Sequence, residues 1–218
     1  MFNFVSQSVT DYCERVGELF LSEPLNLVSS LAFFVSALLV YKLYKNKKVT
    51  GFGYWPLFYL LILIGIGSSL WHCFRNSYTL ALDAMPVFIF LLLFIYLLLR
   101  KLLNSSFKAF MFVVAFFLFQ VGVSYLFPQI LNGSVRHVVN AVVFITLGSL
   151  IYKRNPLLRK DIVLALSLYA FAIIFRSIDN QVCLSFPVGT HFLWHILNAT
   201  ASYFAIKILL NVKPLVTK

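Results

Sequence analysis

Long apolar runs recur along most of the chain, separated by short segments that hold charges, Pro, Gly or Asn. Each run is close to the roughly 20 residues that an α-helix needs to cross a bilayer, and none alternates with the period of two that a barrel strand would show. The seven runs lie near 24–43, 54–74, 81–100, 107–127, 136–152, 161–178 and 191–211. The pattern predicts an all-α integral membrane protein, a seven-transmembrane-helix bundle that forms one membrane domain over 1–218.

The composition excludes the ordinary soluble classes of protein. Of the 218 residues, 61% are apolar and 11% are charged, whereas about 25% of the residues in a soluble domain are charged. An ordinary cytosolic enzyme and a disordered tail are therefore both excluded. The first apolar run also starts too late, after the polar and acidic segment 1–23, to be a simple cleavable signal peptide.

Basic residues gather on one side of the predicted bundle. If the N-terminus lies outside, the inner loops and the C-terminal end hold 14 of the 18 lysines and arginines, and only Arg15, Arg75, Arg136 and Arg176 stay on the outer side. Cytoplasmic loops of membrane proteins carry such an excess. We therefore expect an outer N-terminus with an extracytoplasmic segment 1–23, and a cytoplasmic C-terminus. Topology explains the net charge of +11, so a nucleic-acid partner is not expected.

Five polar side chains enter the spans near the outer face of the bundle. His191 and His195 are four residues apart, so they share one side of a helix, and His72 offers a third imidazole from another span. Catalytic zinc sites commonly have three protein ligands and one open position. Ser68, one turn before His72, would face the same site, and Asp83 could act as general base on the attacking water.

The alternative is that these histidines have structural roles or bind haem. A lone buried His is more often a hydrogen-bonded structural residue than a metal ligand, and His137, which has no His partner at helical spacing, is interpreted as structural or interfacial. Haem is disfavoured, because two histidines one turn apart on a helix cannot be the opposite axial ligands of one haem. The spacing of His191 and His195 favours a metal ion.

Six short motifs follow one another between about residues 11 and 204. They are Asp11-Tyr-Cys-Glu14, Glu23-Pro-Leu-Asn26, Ser68-x3-His72, Leu82-Asp83-Ala-Met-Pro86, Ile178-Asp179-Asn180 with Cys183, and His191-Phe-Leu-Trp-His195. Their order and the spans between them resemble the alkaline ceramidases, a family of the CREST superfamily of seven-helix membrane hydrolases. Two positions differ from the family pattern, since Ala84 replaces a Glu and Leu193 a Trp.

The resemblance implies a zinc site with two catalytic residues. In the family three histidines hold zinc, and the matching residues are His72, His191 and His195. The Ser that matches Ser68 supports the oxyanion, and the Asp that matches Asp83 activates the water. This implied site is the same set of residues that the spacing singled out.

A calcium site and a disulfide are also implied by the resemblance. The matching calcium ligands are Asp11, Tyr12 through its carbonyl, Glu14 and Glu23. Val16 departs from the family, which has Asn there, and the gap to Glu23 is shorter. The implied disulfide joins Cys13 to Cys183; Cys73, next to His72, is an alternative partner or a free thiol.

The function implied is zinc-dependent hydrolysis, inside the membrane, of the amide of ceramide or a similar N-acyl lipid to a sphingoid base and a fatty acid. The lipid would enter from the bilayer, and no protein partner is implied. The alternative is a seven-helix lipid receptor or lipid-binding protein of the same superfamily, whose usual orientation opposes the charge pattern here. The expected location is a bacterial inner membrane or the endoplasmic reticulum or Golgi, with the active site toward the extracytoplasmic side.

Overall fold

The computed structural model describes residues 12–15, 17, 20–50 and 53–214, and within these ranges the chain forms helices and no β-strand. The helices are α1 (Pro24–Ser29), α2 (Leu31–Asn46), α3 (Trp55–Phe74), α4 (Ser77–Leu103), α5 (Ser106–Leu126), α6 (Val135–Arg154), α7 (Arg159–Val182) and α8 (His191–Asn211), with a 3-10 turn at Pro156–Leu158. Seven stretches are long and apolar enough to cross a membrane; α1 and α2 together form the first. The predicted all-α seven-helix bundle is confirmed, while the side on which each end lies stays a prediction.

The helix that follows α3 begins earlier than the apolar run indicated. Asn76 caps α4 by accepting hydrogen bonds from the backbone N–H groups of Tyr78 and Thr79, both at 3.0 Å. The Thr79 hydroxyl accepts in return from the Asn76 N–H at 3.1 Å. This capping box sets the start of the helix at Ser77. Asp83 therefore lies in the second turn of α4. The apolar run had instead predicted a span that begins near residue 81, close to Asp83.

The main hydrophobic core lies between α2, α3, α4 and α8. Its most deeply buried side chains include Val40, Leu57, Leu61, Ile95, Ile206 and Leu209. Large apolar side chains on the outer surface of the bundle stay exposed, among them Phe107, Phe119 and Val142. A surface of this kind suits contact with lipid, because hydrocarbon tails do not penalise exposed apolar groups.

α3 and α4 approach closely at Gly67. A Cβ atom at this position would collide with the backbone carbonyl of Leu82, so only Gly permits the contact. Ser68 follows Gly67 along α3, and Asp83 follows Leu82 along α4. The absence of a side chain at Gly67 therefore brings these two polar residues to neighbouring positions at the helix interface.

Candidate metal centre

Three histidines from two helices meet at one end of the bundle. His72 lies in the last turn of α3, and His191 and His195 lie in the first two turns of α8. Their side-chain nitrogen atoms all lie within 4.8 Å of one another, and Nε2 of His72 is 3.3 Å from Nε2 of His195. All three side chains are buried. The fold thus assembles the histidines that the spacing singled out into a cluster that could bind a metal ion.

Hydrogen bonds to the Nδ1 atoms decide which nitrogens face the cluster. Nδ1 of His72 donates to Oε2 of Glu23 at 2.5 Å. The Ser29 hydroxyl gives its single proton to the Asn26 carbonyl at 2.9 Å, so it accepts from Nδ1 of His195 at 2.8 Å. In the neutral form of each ring, Nε2 then carries a lone pair that faces the cluster. A cation bound by both atoms would satisfy these lone pairs.

The third ring, that of His191, is positioned by contacts with α7 and with the N-terminal segment. The backbone N–H groups of Thr190 and His191 donate to Oδ1 of Asp179, at 2.6 Å and 2.9 Å. The His191 ring stacks on Tyr12, with the ring centroids 3.7 Å apart. Its Nδ1 is buried and has no hydrogen-bond partner among the described residues. Three imidazoles whose nitrogen atoms lie within 4.8 Å of one another are a donor set that fits zinc.

Ser68 and Asp83 lie beside the histidines. Oγ of Ser68 is 3.4 Å from Nε2 of His195 and 2.9 Å from Oγ of Ser30. The Ser30 hydroxyl also donates to the Asn26 carbonyl at 2.9 Å. The Asp83 carboxyl interacts with Ser68 and lines the same cavity as the histidines of α8. A hydroxyl group and a carboxyl group thus stand next to the cluster.

A cavity of about 370 Å³ opens beside the three-histidine cluster. A second cavity of about 110 Å³, lined mainly by apolar side chains of α3, α4, α6, α7 and α8, continues from it into the bundle. Phe33, Ile64, Leu91 and Trp194 line both. The combined space has a polar end at the histidines and an apolar end in the bundle core, so it suits an amphipathic molecule with a long hydrocarbon chain.

The comparison with known families agrees with this site. The sequence model of one family, described as Ceramidase, matches residues 5–215, nearly the whole chain. The chain belongs to the ceramidase family. Membership supports a ceramide-hydrolysing activity in general, and so a hydrolase that acts on an amide and takes a lipid substrate in the membrane. It confirms the resemblance stated from the motifs and does not favour the receptor alternative. No curated protein matches the chain at a significant level.

Part of the calcium site that the ceramidase resemblance implied lies outside the residues that the structure describes. Asp11 and Val16 are not among the described residues. Both carboxylate oxygens of Glu14 accept backbone N–H groups at the start of α1, from Leu25 at 2.5 Å and from Asn26 at 2.8 Å. Burial raises the pKa of Glu14 above 4.5, and the two hydrogen bonds oppose that rise. Glu14 therefore acts here as a cap for α1.

Glu23 has no oxygen left for a further cation. Oε1 accepts from Arg15 at 2.9 Å and from Arg75 at 2.6 Å, and Oε2 accepts from His72. Burial would raise the pKa of Glu23, but the three partners outweigh it and lower the pKa to about 2. The Tyr12 carbonyl accepts from the Arg15 N–H at 3.0 Å. The described residues do not fit calcium, so calcium binding stays a prediction from the resemblance.

A disulfide joins the N-terminal segment of this ceramidase-family chain to the end of α7. It links Cys13 to Cys183, with the Cα atoms 5.1 Å apart, and Cys73 is a free thiol. This is the pairing that the resemblance implied. Asp179, one turn before Cys183, accepts from the Cys13 N–H at 3.1 Å through Oδ2. The same carboxylate thus binds the N-terminal segment and the start of α8, where His191 lies.

Sequence reasoning missed the residues that orient the three histidines. Ser29 carried no signal beyond being a polar residue in an apolar span, and Glu23 was assigned to calcium because of the motif that contains it. Asp179 did carry a signal, since it lies in a motif shared with the ceramidases. His137, interpreted as structural or interfacial, packs its ring 4.6 Å from that of Trp194 and lies outside the three-histidine cluster.

Proposed function

We propose that this chain is a zinc-dependent intramembrane amidase that hydrolyses ceramide, or a similar N-acyl lipid, to a sphingoid base and a fatty acid. The observation that carries the proposal is the close approach of Nε2 of His72 to Nε2 of His195, at 3.3 Å. Because protein groups bind both Nδ1 atoms, the Nε2 atoms are the ones available to a metal ion. A carboxylate base and a cavity with an apolar extension lie next to them.

The protein supplies the ligand set and its orientation. His72, His191 and His195 would hold the ion, and Glu23 and Ser29 keep two of the rings turned toward it, as hydrogen-bonded neighbours of metal-binding histidines commonly do. When bound, zinc would polarise the amide carbonyl and lower the pKa of the attacking water.

Asp83 and Ser68 carry the proton transfer and the charge stabilisation. Asp83 takes a proton from the attacking water as its oxygen bonds to the acyl carbon. The same carboxyl returns the proton to the nitrogen as the C–N bond breaks, which releases the amine and the fatty acid. The Ser68 hydroxyl donates to the carbonyl oxygen, on which negative charge develops. Its hydrogen bond to Ser30, at 2.9 Å, keeps it close to its working position before substrate arrives.

The cavities account for a lipid substrate. The acyl chain would occupy the apolar cavity, lined by residues such as Phe94, Phe144 and Ile208. The amide would then lie in the larger cavity, within reach of Asp83 and the histidines. A long-chain lipid of this kind resides in the bilayer, so we propose that it enters laterally between helices. From the charge pattern, the site would face the extracytoplasmic side.

Metal removal and replacement test the proposal directly. Purified protein should contain about one zinc per chain by elemental analysis, and it should release fatty acid from ceramide. Dialysis against a chelator should abolish the release, and one equivalent of zinc should restore it. Replacing Asp83 by Asn should block the restored activity. The control Asp161→Asn, in the first turn of α7, where Asp161 pairs with Lys207 of α8, should not. Full turnover by metal-free protein would refute the zinc mechanism.

A further inference from the structure

Two arginines line the larger cavity together with the proposed catalytic groups. Arg176 comes from α7 and Arg136 from α6. Arg176 lies two turns inside its helix and is only 8% exposed, so it does not extend to water as a snorkelling Arg does. Arg136 lies in the first turn of α6 and is exposed, at the rim. The polar end of the cavity is therefore strongly cationic.

Within the described part of the chain, the two guanidinium groups share one nearby carboxylate. Arg176 and Arg136 form no ion pair there, and Nε of Arg176 is buried with no hydrogen-bond partner. The contacts of Arg176 are a long hydrogen bond to the Tyr12 hydroxyl, at 3.4 Å, and the face of Trp194, 5.4 Å from the ring centroid. Asp83 is the one carboxylate among the lining residues. It interacts electrostatically with both arginines as well as with Ser68, but it offers one negative charge for two positive ones and is proposed above as the catalytic base.

Arg15 and Arg75, the other two arginines expected on the outer side, are both paired with a carboxylate. Arg15 and Arg75 both donate to the carboxylate of Glu23, at 2.9 Å and 2.6 Å. A buried charge without a partner is costly, and an ionisable group inside a membrane bundle usually marks a substrate path. The positive charge that Asp83 does not balance therefore fits an anion that enters the cavity. Guanidinium groups match carboxylate and phosphate oxygens in particular, because they can donate two parallel hydrogen bonds.

We infer that the preferred substrate is an N-acyl lipid whose amine-side moiety carries a carboxylate or a phosphate, and that Arg176, with Arg136 at the rim, binds this anion. The inference rests on the proposed function, since it names the substrate class of the same site. With the acyl chain in the apolar cavity and the amide at the histidines, the amine-side moiety remains in the larger cavity. That moiety is then the part of the lipid that lies against the two guanidinium groups.

Paired substrates that differ in one charge test the preference. N-oleoylglycine is compared with the neutral N-oleoylethanolamine, and ceramide 1-phosphate with ceramide, so the two pairs separate a carboxylate from a phosphate. We expect kcat/KM to favour the anionic member of at least one pair by about ten-fold or more, the effect of a hydrogen bond to a charged group. The ratio should fall toward one in Arg176→Gln and partly recover in Arg176→Lys. Arg100→Gln, at the exposed cytoplasmic end of α4, should keep the ratio of the wild type.

A binding measurement separates this inference from the proposed function. In the Asp83→Asn background, the Kd of N-oleoylglycine and N-oleoylethanolamine is measured with and without Arg176→Gln. Tighter binding of the anion that is lost with Arg176 supports the anion site even if no lipid is hydrolysed, in which case only the proposed function fails. Hydrolysis of neutral lipids with equal kcat/KM and equal Kd for both members of each pair would overturn the anion site and leave the proposed function standing.

Discussion

Oε2 of Glu23 lies 2.5 Å from Nδ1 of His72, so the residue directly before the first span orients the His72 ring in the last turn of α3. Carboxylates behind metal-binding histidines fix the tautomer of the ring and raise its basicity. In this protein the same carboxylate also neutralises Arg15 and Arg75. The N-terminal segment is thereby linked to the metal centre through one buried side chain.

Replacement of Glu23 by Gln should weaken metal binding. The amide can still accept from His72, but the negative charge that strengthens this ligand is lost, so we expect the affinity for zinc to fall about ten- to hundred-fold. Competition with a chromogenic chelator measures the change. Glu14→Gln is the matched control, because Glu14 binds only backbone groups of α1 and should leave the affinity unchanged. An equal loss in both variants would mean that the effect is a general loosening of the N-terminal segment.

The lowered pKa of Glu23 predicts a loss of stability in acid. Since its pKa falls from 4.5 to about 2 in the folded protein, the ionised form stabilises the fold. This contribution is complete above about pH 4.5 and is lost as the pH falls through 2. The melting temperature of metal-free wild type should therefore decline over this interval, and that of Glu23→Gln should decline less. Parallel curves for the two proteins would contradict the assignment.

Each of the three histidines should be needed for zinc. We expect His72→Ala, His191→Ala and His195→Ala to purify with little zinc and no turnover, because two imidazoles hold the ion weakly compared with three. His137→Ala is the control for metal content, since it lies outside the cluster and should keep the zinc. Full zinc occupancy with normal turnover in His191→Ala would remove that residue from the site.

Asp83 and Ser68 should affect the rate without affecting the metal. Asp83→Asn should keep its zinc and lose most activity, because an amide cannot accept the proton of the attacking water. Ser68→Ala should lose roughly 10²–10³ in kcat, the effect of removing one oxyanion donor in other enzymes. Elemental analysis and steady-state kinetics on the same preparations check both. Near-normal kcat in Asp83→Asn would require a different base.

The disulfide should stabilise the site-bearing end of the bundle. Cys13 and Cys183 are 170 residues apart, and for a loop of this length chain-entropy estimates reach about 5 kcal/mol, although measured gains are often smaller. The double variant Cys13→Ser/Cys183→Ser should melt several degrees lower than Cys73→Ser, which removes only the free thiol. Non-reducing peptide mapping should recover the two peptides linked; their recovery as separate peptides from protein made in an oxidising compartment would refute the bond.

The overall architecture could be predicted from local chemistry along the chain. Runs of about 20 apolar residues have no stable alternative to helices in lipid, because every backbone polar group must be paired within the segment. His191 and His195 are four residues apart in the sequence, and helical geometry alone places them on one side of α8. The number of spans and the histidine pair were therefore determined by the sequence itself.

The tertiary structure alone determined which residues hydrogen-bond to the three histidines and which residues surround them. Glu23 and His72 are 49 residues apart, and Ser29 and His195 are 166 apart, so their hydrogen bonds depend on how α1 packs against α3 and α8. The contact of Gly67 with Leu82, which brings Ser68 near Asp83, has the same origin. Spacing along one chain determines which residues share a helix face. Only the packing of helices determines which carboxylate meets which imidazole, and which arginines line the cavity.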